Sequence, residues 1–171
     1  MIVTCNPASG PQFPKGTTTA TCTADDGSGN QAGCSFTVSV LDLEPPAVKC
    51  PTNLVTSTQP GLCEAAVSYS VTISDNCPGT SLLCSPPSGA VFPLGTSSVT
   101  CRGSDAAGNI EFCSFDVTVV DLEGPQIECP ADITLLVDSG QCDAVVSYEV
   151  MVTDNCGMEK VTCTPPSGTL F

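Results

Sequence analysis

The chain has 171 residues, with 18 acidic side chains against four basic ones (Lys15, Lys49, Arg102 and Lys160) and no histidine. A net charge of -14 repels phosphate backbones and anionic lipid, so nucleic acid is excluded as a partner, and cations and basic surfaces are the complementary ones. No apolar stretch is long enough to span a membrane, and no basic-then-apolar leader follows Met1, so we expect that Met1 is not the native start of a secreted precursor.

The sequence repeats itself at a fixed period of 79 residues, and every cysteine obeys it. Cys5, Cys84 and Cys163 form one column; the other columns are Cys22 and Cys101, Cys34 and Cys113, Cys50 and Cys129, Cys63 and Cys142, and Cys77 and Cys156. Phe13, Phe92 and Phe171 keep the same phase, as do Tyr69 and Tyr148. A period this long makes each unit a small domain rather than a solenoid turn. The spacing divides the chain into the second half of one repeat (1–41), a complete repeat (42–120) and the first half of another (121–171).

Strand signals dominate in chain order. Phe36-Thr37-Val38-Ser39-Val40 alternates apolar and polar residues. In the complete repeat we expect strand one near 47–58, strand two near 63–74 and strand three near 80–85. A short edge segment follows near 90–92, strands five and six share 96–104, and the last strand covers 110–120. Val146, Tyr148, Val150 and Val152 repeat the phase of Val67, Tyr69, Val71 and Ile73. Turn residues separate the runs, as in Gln59-Pro60-Gly61 and Pro86-Pro87-Ser88-Gly89. About seven alternating strands per repeat predict an all-β, immunoglobulin-like sandwich. Leu41-Asp42-Leu43-Glu44-Pro45-Pro46 and Val120-Asp121-Leu122-Glu123-Gly124-Pro125 are the joints, short and proline-bearing, which predicts a stiff array.

Several motifs in one order resemble hyalin repeat (HYR) modules. They are Asp42-x-Glu44-Pro45-Pro46 leading into Cys50-Pro51, Ser74-Asp75-Asn76-Cys77, and Phe92-Pro93-x-Gly95-Thr96. Asp105-Ala106-Ala107-Gly108-Asn109 and Cys113-Ser114-Phe115-x-Val117-x-Val119 follow. The resemblance covers the whole chain. It implies an immunoglobulin-like fold in tandem in extracellular proteins associated with adhesion, and it brings no catalytic residues.

Six cysteines per repeat, with no C-x-x-C pair and no histidine, point to disulfides rather than zinc, and hence to an extracellular location. In an immunoglobulin-like sandwich the first and last strands can lie side by side, which pairs Cys50 with Cys113. Neighbouring strands pair Cys84 with Cys101 and Cys5 with Cys22. Elimination then pairs Cys63 with Cys77, and Cys142 with Cys156. Fourteen residues of straight strand would span ~46 Å, far beyond the ~7 Å between Cα atoms that a bridge tolerates. That segment must therefore fold back, or these cysteines bridge neighbouring repeats. Cys34, Cys129 and Cys163 have no mate within the chain and are expected to join other units. Cys129 should meet the Cys34 column and Cys163 the Cys22 column.

In this fold three loops gather at each joint. Asp42, Glu44, Asp75, Asn76, Asp105 and Asn109 should meet at the first, and Asp121, Glu123, Asp154 and Asn155 at the second. Clustered hard oxygen ligands suit calcium, although Asp-Asn and Asp-Gly sequences are also ordinary turn formers. Other chemistries lack their parts. Without histidine there is no Ser-His pair, and the glycines around Gly27 to Gly33 precede a strand in an acidic chain, not a helix. Carboxylates that recur at loop positions in every repeat do not describe a glycosidase. Tyr69 and Tyr148 read as core or corner tyrosines.

The expected function is therefore structural and non-enzymatic: a tandem array forming a rod or a head-to-tail fibre stapled by disulfides. The alternative is a calcium-stiffened cell-surface adhesin stalk or binding module with an extracellular ligand. The expected partners are copies of itself or adjacent repeats of a longer array. The terminal halves would leave sheet edges open, so identical sequence should complete them, either along a longer chain or by residues 14–41 of one copy completing residues 121–171 of another.

Overall fold

A computed structural model describes residues 2–137, 139–157 and 160–171; Met1, on which the expectation about the native start falls, lies outside them. The described residues contain fifteen strands and no helix. They are β1 (Ile2–Asn6), β2 (Gly16–Asp25), β3 (Gln31–Val40), β4 (Ala47–Lys49), β5 (Leu54–Ser57), β6 (Glu64–Ala66), β7 (Thr72–Ser74) and β8 (Ser81–Ser85). After these come β9 (Val91–Pro93), β10 (Gly95–Ser104), β11 (Ile110–Val120), β12 (Gln126–Glu128), β13 (Val145–Val146), β14 (Met151–Thr153) and β15 (Thr169–Leu170). The chain divides into two compact units. One comprises Met1–Val48, Ile73–Leu82 and Arg102–Phe112, the other Lys49–Thr72, Leu83–Cys101 and Cys113–Phe171.

The complete repeat shows how the strands close. One sheet has the order β5-β11-β10-β8, and β4-β7 and β6-β9 are further pairs. β5 runs parallel to β11, with Leu54 opposite Val117 and Ser57 opposite Val120, so the beginning of the repeat is bonded to its end. Expected strand one breaks in two because Pro51 has no N–H for a ladder. Its first part pairs with β7 and its second part crosses to β11. Residues 96–104 form one strand, not two, because Thr96 to Arg102 contain no turn residue and alternate in and out without interruption. The eight strands β4 to β11 of the complete repeat form an immunoglobulin-like sandwich.

The core comes from alternate residues of the inner faces. Phe92, Val99, Cys101, Val117 and Val119 are buried, and Phe115 packs its ring edge-on against Tyr69 with centroids 4.9 Å apart. The Tyr69 hydroxyl donates to the Pro86 carbonyl, which gives the tyrosine a polar anchor at the rim. Gly103 lies where an added Cβ would collide with the side chains of Val48 and Ile73, so its bareness admits both. The Cys50–Cys113 bridge (Cα–Cα 5.8 Å) ties the first strand region to the last, and Cys84–Cys101 (4.0 Å) links adjacent strands.

The same columns in residues 2–41 form a three-stranded sheet β1-β2-β3, with Cys5 bridged to Cys22 opposite it in the ladder. In residues 121–171 the counterparts are β12-β14 and β13-β15. Residues 133–136, which hold the columns of β5, form no strand among the described residues.

A core with so few aromatics should depend heavily on each. Phe92→Ala is expected to lower unfolding free energy by about 3–5 kcal/mol, read as a shift of the urea midpoint at unchanged slope.

Candidate functional site: the joints

The first joint lies within the first compact unit. Its loop after β3 carries Asp42 and Glu44, the turn after β7 carries Asp75, Asn76 and Cys77, and the turn between β10 and β11 carries Asp105 and Asn109. All six expected oxygen donors meet here. Lys15, immediately before β2, places Nζ 3.0 Å from Asp42 Oδ2, whose side chain is only 2% exposed. Asp42 Oδ1 accepts from the Glu44 N–H at 3.3 Å. Asn76 Nδ2 donates to Glu44 Oε2 at 2.8 Å.

Asn109 ties the loops together. Its Nδ2 donates to the carbonyls of Asp42 and Glu44, each at 3.2 Å, and to Asp105 Oδ2 at 2.7 Å. Asp105 is buried and accepts the N–H groups of Ala107 and Asn109 at 2.9 and 2.8 Å. Burial pushes its carboxyl upward, but hydrogen bonds from Asn109 and the turn outweigh that and hold it below the ordinary value.

Asp75 uses one oxygen to accept the Cys77 N–H at 2.7 Å; its other oxygen is buried and has no hydrogen-bond partner among the described residues. Ligand atoms of Asp42, Asp75 and Cys77 lie within 4.8 Å of one another. Hydrogen bonding to Asp42, then burial, pushes the Cys77 thiol up and keeps it protonated.

As a calcium site this cluster fits poorly. Calcium wants six to eight oxygens with charge to spare. Here a lysine ammonium already occupies the cation's place beside Asp42, Glu44 and Asp105 are committed to asparagine amides, and the third member of the tightest group is a thiol.

The second joint lies within the second unit and is closed differently. The Asp121 carboxylate accepts the Glu123 N–H at 3.0 Å, and Glu123 Oε2 accepts the Gly61 N–H at 3.0 Å. Asn155 Nδ2 donates to the Leu62 carbonyl at 2.9 Å and to Thr58 Oγ1 at 3.4 Å, while Asp154 accepts the Cys156 N–H at 2.9 Å. Leu94 stands in the column of Lys15, so no lysine occupies that position here.

A covalent link takes its place. Cys63 is bridged to Cys156, with Cα atoms 4.6 Å apart and 93 residues between them. This corrects the expected pairs Cys63–Cys77 and Cys142–Cys156. No turn doubles the chain back between β6 and β7, so Cys77 cannot reach Cys63; the equivalent cysteine of the next repeat arrives instead. Cys34, Cys77, Cys129, Cys142 and Cys163 are thiols in the single chain, and Cys22, expected as a column for Cys163, is taken by Cys5. The 79-residue period contained the signal, since a separation of 93 is one period plus the fourteen residues between Cys63 and Cys77.

Four disulfides among the described residues and an all-β sandwich define a disulfide-stapled module of the extracellular kind. The HYR domain matches residues 1–40 and 41–119, and the chain belongs to that family. It is 36% identical over 165 residues to hyalin of Strongylocentrotus purpuratus, covering 91% of this chain and 14% of that protein. It is 34% identical over 164 residues to hyalin of Lytechinus variegatus, covering 92% and 31%. It is also 32% identical over 124 residues to the sushi, von Willebrand factor type A, EGF and pentraxin domain-containing protein 1 of Rattus norvegicus, covering 69% and 3%. The chain thus spans less than a third of either hyalin.

Two predictions test the first joint. The hydrogen bond from Lys15 holds the Asp42 carboxyl below its ordinary 3.8, and the Asp105 carboxyl is also lowered. A depressed carboxyl stabilises above its unfolded value and loses that contribution as pH falls through the folded one. The urea midpoint should therefore hold down to about pH 4 and drop below it, with a shallower drop in Lys15→Met. Iodoacetamide should alkylate Cys77 in the unassembled chain more slowly than exposed Cys34 and Cys129, and Asp42→Asn should speed Cys77 alone.

Proposed function

We propose that this chain is a structural segment of an extracellular tandem HYR array, which forms a rod or a head-to-tail fibre whose successive modules are stapled by disulfides. The observation that carries this reading is the Cys63–Cys156 bridge, which joins one 79-residue repeat to the next. A covalent tie beside a short joint, together with the Glu123–Gly61 and Asn155–Leu62 hydrogen bonds, limits bending there. High negative charge keeps such an array soluble and separates neighbours laterally, so growth along the axis is favoured over clumping. The partners on this reading are adjacent repeats or further copies of the chain, not nucleic acid or a bilayer interior. Matches to hyalins over nine-tenths of the chain support assembly from many such modules.

A second reading is a calcium-stiffened adhesin stalk or binding module. It draws on the unpartnered, buried oxygen of Asp75 beside Asp42, and the Lys15 ammonium counts against it. Both readings predict images. Polypeptides of two, four and eight repeats, viewed by rotary-shadowed electron microscopy, should show a contour length growing linearly with repeat number. Reduction should make the particles flexible. Compact particles whose length does not scale would overturn the rod. Shortening on chelation, reversed by calcium, would favour the second reading over the first.

A further inference from the structure

The two disulfides inside the complete repeat lie against each other. The Sγ atoms of Cys50, Cys101 and Cys113 all fall within 4.8 Å of one another, although Cys101 is bridged to Cys84 and Cys50 to Cys113. All four cysteines belong to the second compact unit, and each has its partner in the same repeat. Their closeness is a property of the closed sandwich.

The ladder explains it. Cys101 lies on β10, which runs between β8 and β11. On one side Cys84 of β8 faces it, with Cα atoms 4.0 Å apart. On the other side the Thr96 and Thr118 hydroxyls, 3.0 Å apart, fix the register of β10 against β11. Cys101 and Cys113 lie equally far along the two strands from that pair, so they stand opposite each other. The same columns do so in the first sheet, where Cys22 pairs with Cys34. Directly opposite residues of an antiparallel pair have Cα atoms about 4.5–5.5 Å apart, and a disulfide tolerates about 4.4–6.8 Å. The backbone thus holds Cys101 and Cys113 at bridging distance while each is bonded elsewhere. Cys101 is fully buried, whereas Cys50, Cys84 and Cys113 are only partly covered. A reductant from outside therefore meets one of those three sulfurs first.

We propose that these four cysteines form an internal thiol–disulfide exchange site, in which loss of either bridge to a small dithiol converts the repeat to a single Cys101–Cys113 bridge with thiols at Cys50 and Cys84. One thiolate of the dithiol attacks Cys84 Sγ, a mixed disulfide forms, and the Cys101 thiolate leaves. This thiolate attacks Cys113 Sγ across the ladder and expels the Cys50 thiolate. The second thiol of the reductant then attacks its own sulfur in the mixed disulfide and frees Cys84. The dithiol is oxidised to a disulfide, the protein loses one disulfide on balance, and the two protons of the dithiol end on Cys50 and Cys84. Entry at Cys50 gives the same product, because the expelled Cys113 thiolate attacks Cys101 Sγ and releases Cys84. The direction follows from burial: exchange moves negative charge from the enclosed Cys101 sulfur to the partly exposed Cys50, where water solvates it.

The exchange also moves the covalent closure. Cys50–Cys113 holds the start of the repeat to its end across 63 residues, whereas Cys101–Cys113 ties only two neighbouring strands. One two-electron reduction therefore leaves the parallel β5–β11 ladder without a covalent tie. The site works inside one repeat and does not depend on how repeats assemble.

The test uses the full chain, as a mixture of unlabelled and 15N-labelled molecules whose thiols at Cys34, Cys77, Cys129, Cys142 and Cys163 are first capped with iodoacetamide. Limiting phosphine at about pH 4 opens bridges while thiols stay protonated. One half is alkylated at once with N-ethylmaleimide. The other is first brought to about pH 8, which raises the thiolate fraction of an ordinary thiol by roughly four powers of ten. Chains that have lost one of the two bridges are then mapped without further reduction. Alkylation at once should label both partners of the bridge that was opened. After the pH step the labels should sit on Cys50 and Cys84, with a Cys101–Cys113 peptide whose halves carry the same isotope. Labels that stay on Cys101, a Cys50–Cys101 peptide, or halves of mixed isotope would each overturn the proposal. Cys84→Ser gives a second reading without reductant. Its main form at about pH 8 should hold Cys101–Cys113 and a thiol at Cys50; a Cys50–Cys113 bridge beside a free Cys101 would overturn the exchange as well.

Discussion

A small sandwich is closed only when its first strand meets its last. In the complete repeat that meeting is the parallel ladder of β5 with β11, reinforced by the Cys50–Cys113 bridge across 63 residues. Nearly everything else depends on it. The buried face of β11 is where Phe115, Val117 and Val119 enter the core, and Phe115 in turn positions Tyr69. A loop of this length costs chain entropy to close, and a disulfide removes about 4 kcal/mol of that cost from the unfolded state.

The two joints solve one problem by different chemistry. Each must hold the Asp-Asn-Cys turn of one repeat against the end of the previous one. At the second joint a disulfide does this, with Asn155 and Glu123 bonding backbone groups around it. At the first, Lys15 reaches the nearly buried Asp42 and Asn109 fastens the joint loop through two carbonyls. An ion pair can be rearranged by pH or salt, whereas a disulfide answers only to redox conditions. In both, the asparagine amide is the pivot, because its two N–H donors can satisfy loop carbonyls that a sandwich edge would otherwise leave unpaired.

The acidity acts at a different level. Most carboxylates at the joints are spent on local turns: Asp75, Asp105, Asp121 and Asp154 each accept a backbone N–H two residues on or nearby. Their residue types look like a metal site in sequence because turn formers and calcium ligands are the same side chains. The net charge of -14 remains as a property of the surface, which favours solubility and cationic partners.

Much of the fold was legible in the residues. Alternation predicts strands over 36–40 and 110–120, and the bridges Cys5–Cys22 and Cys84–Cys101 follow from neighbouring strands of one sheet. The splitting of strand one, the unity of 96–104 and the mate of Cys63 were not legible in the same way. Local pattern reports which side of a strand faces the core, because the side-chain period is a property of the backbone alone. It does not report which distant segment lies on the other side. The period, the cysteine columns and the turn-forming joints were therefore determined by the sequence. That Cys63 takes Cys156 rather than Cys77, and that Lys15 meets Asp42, was decided only by tertiary structure, since both depend on where one repeat ends against the next.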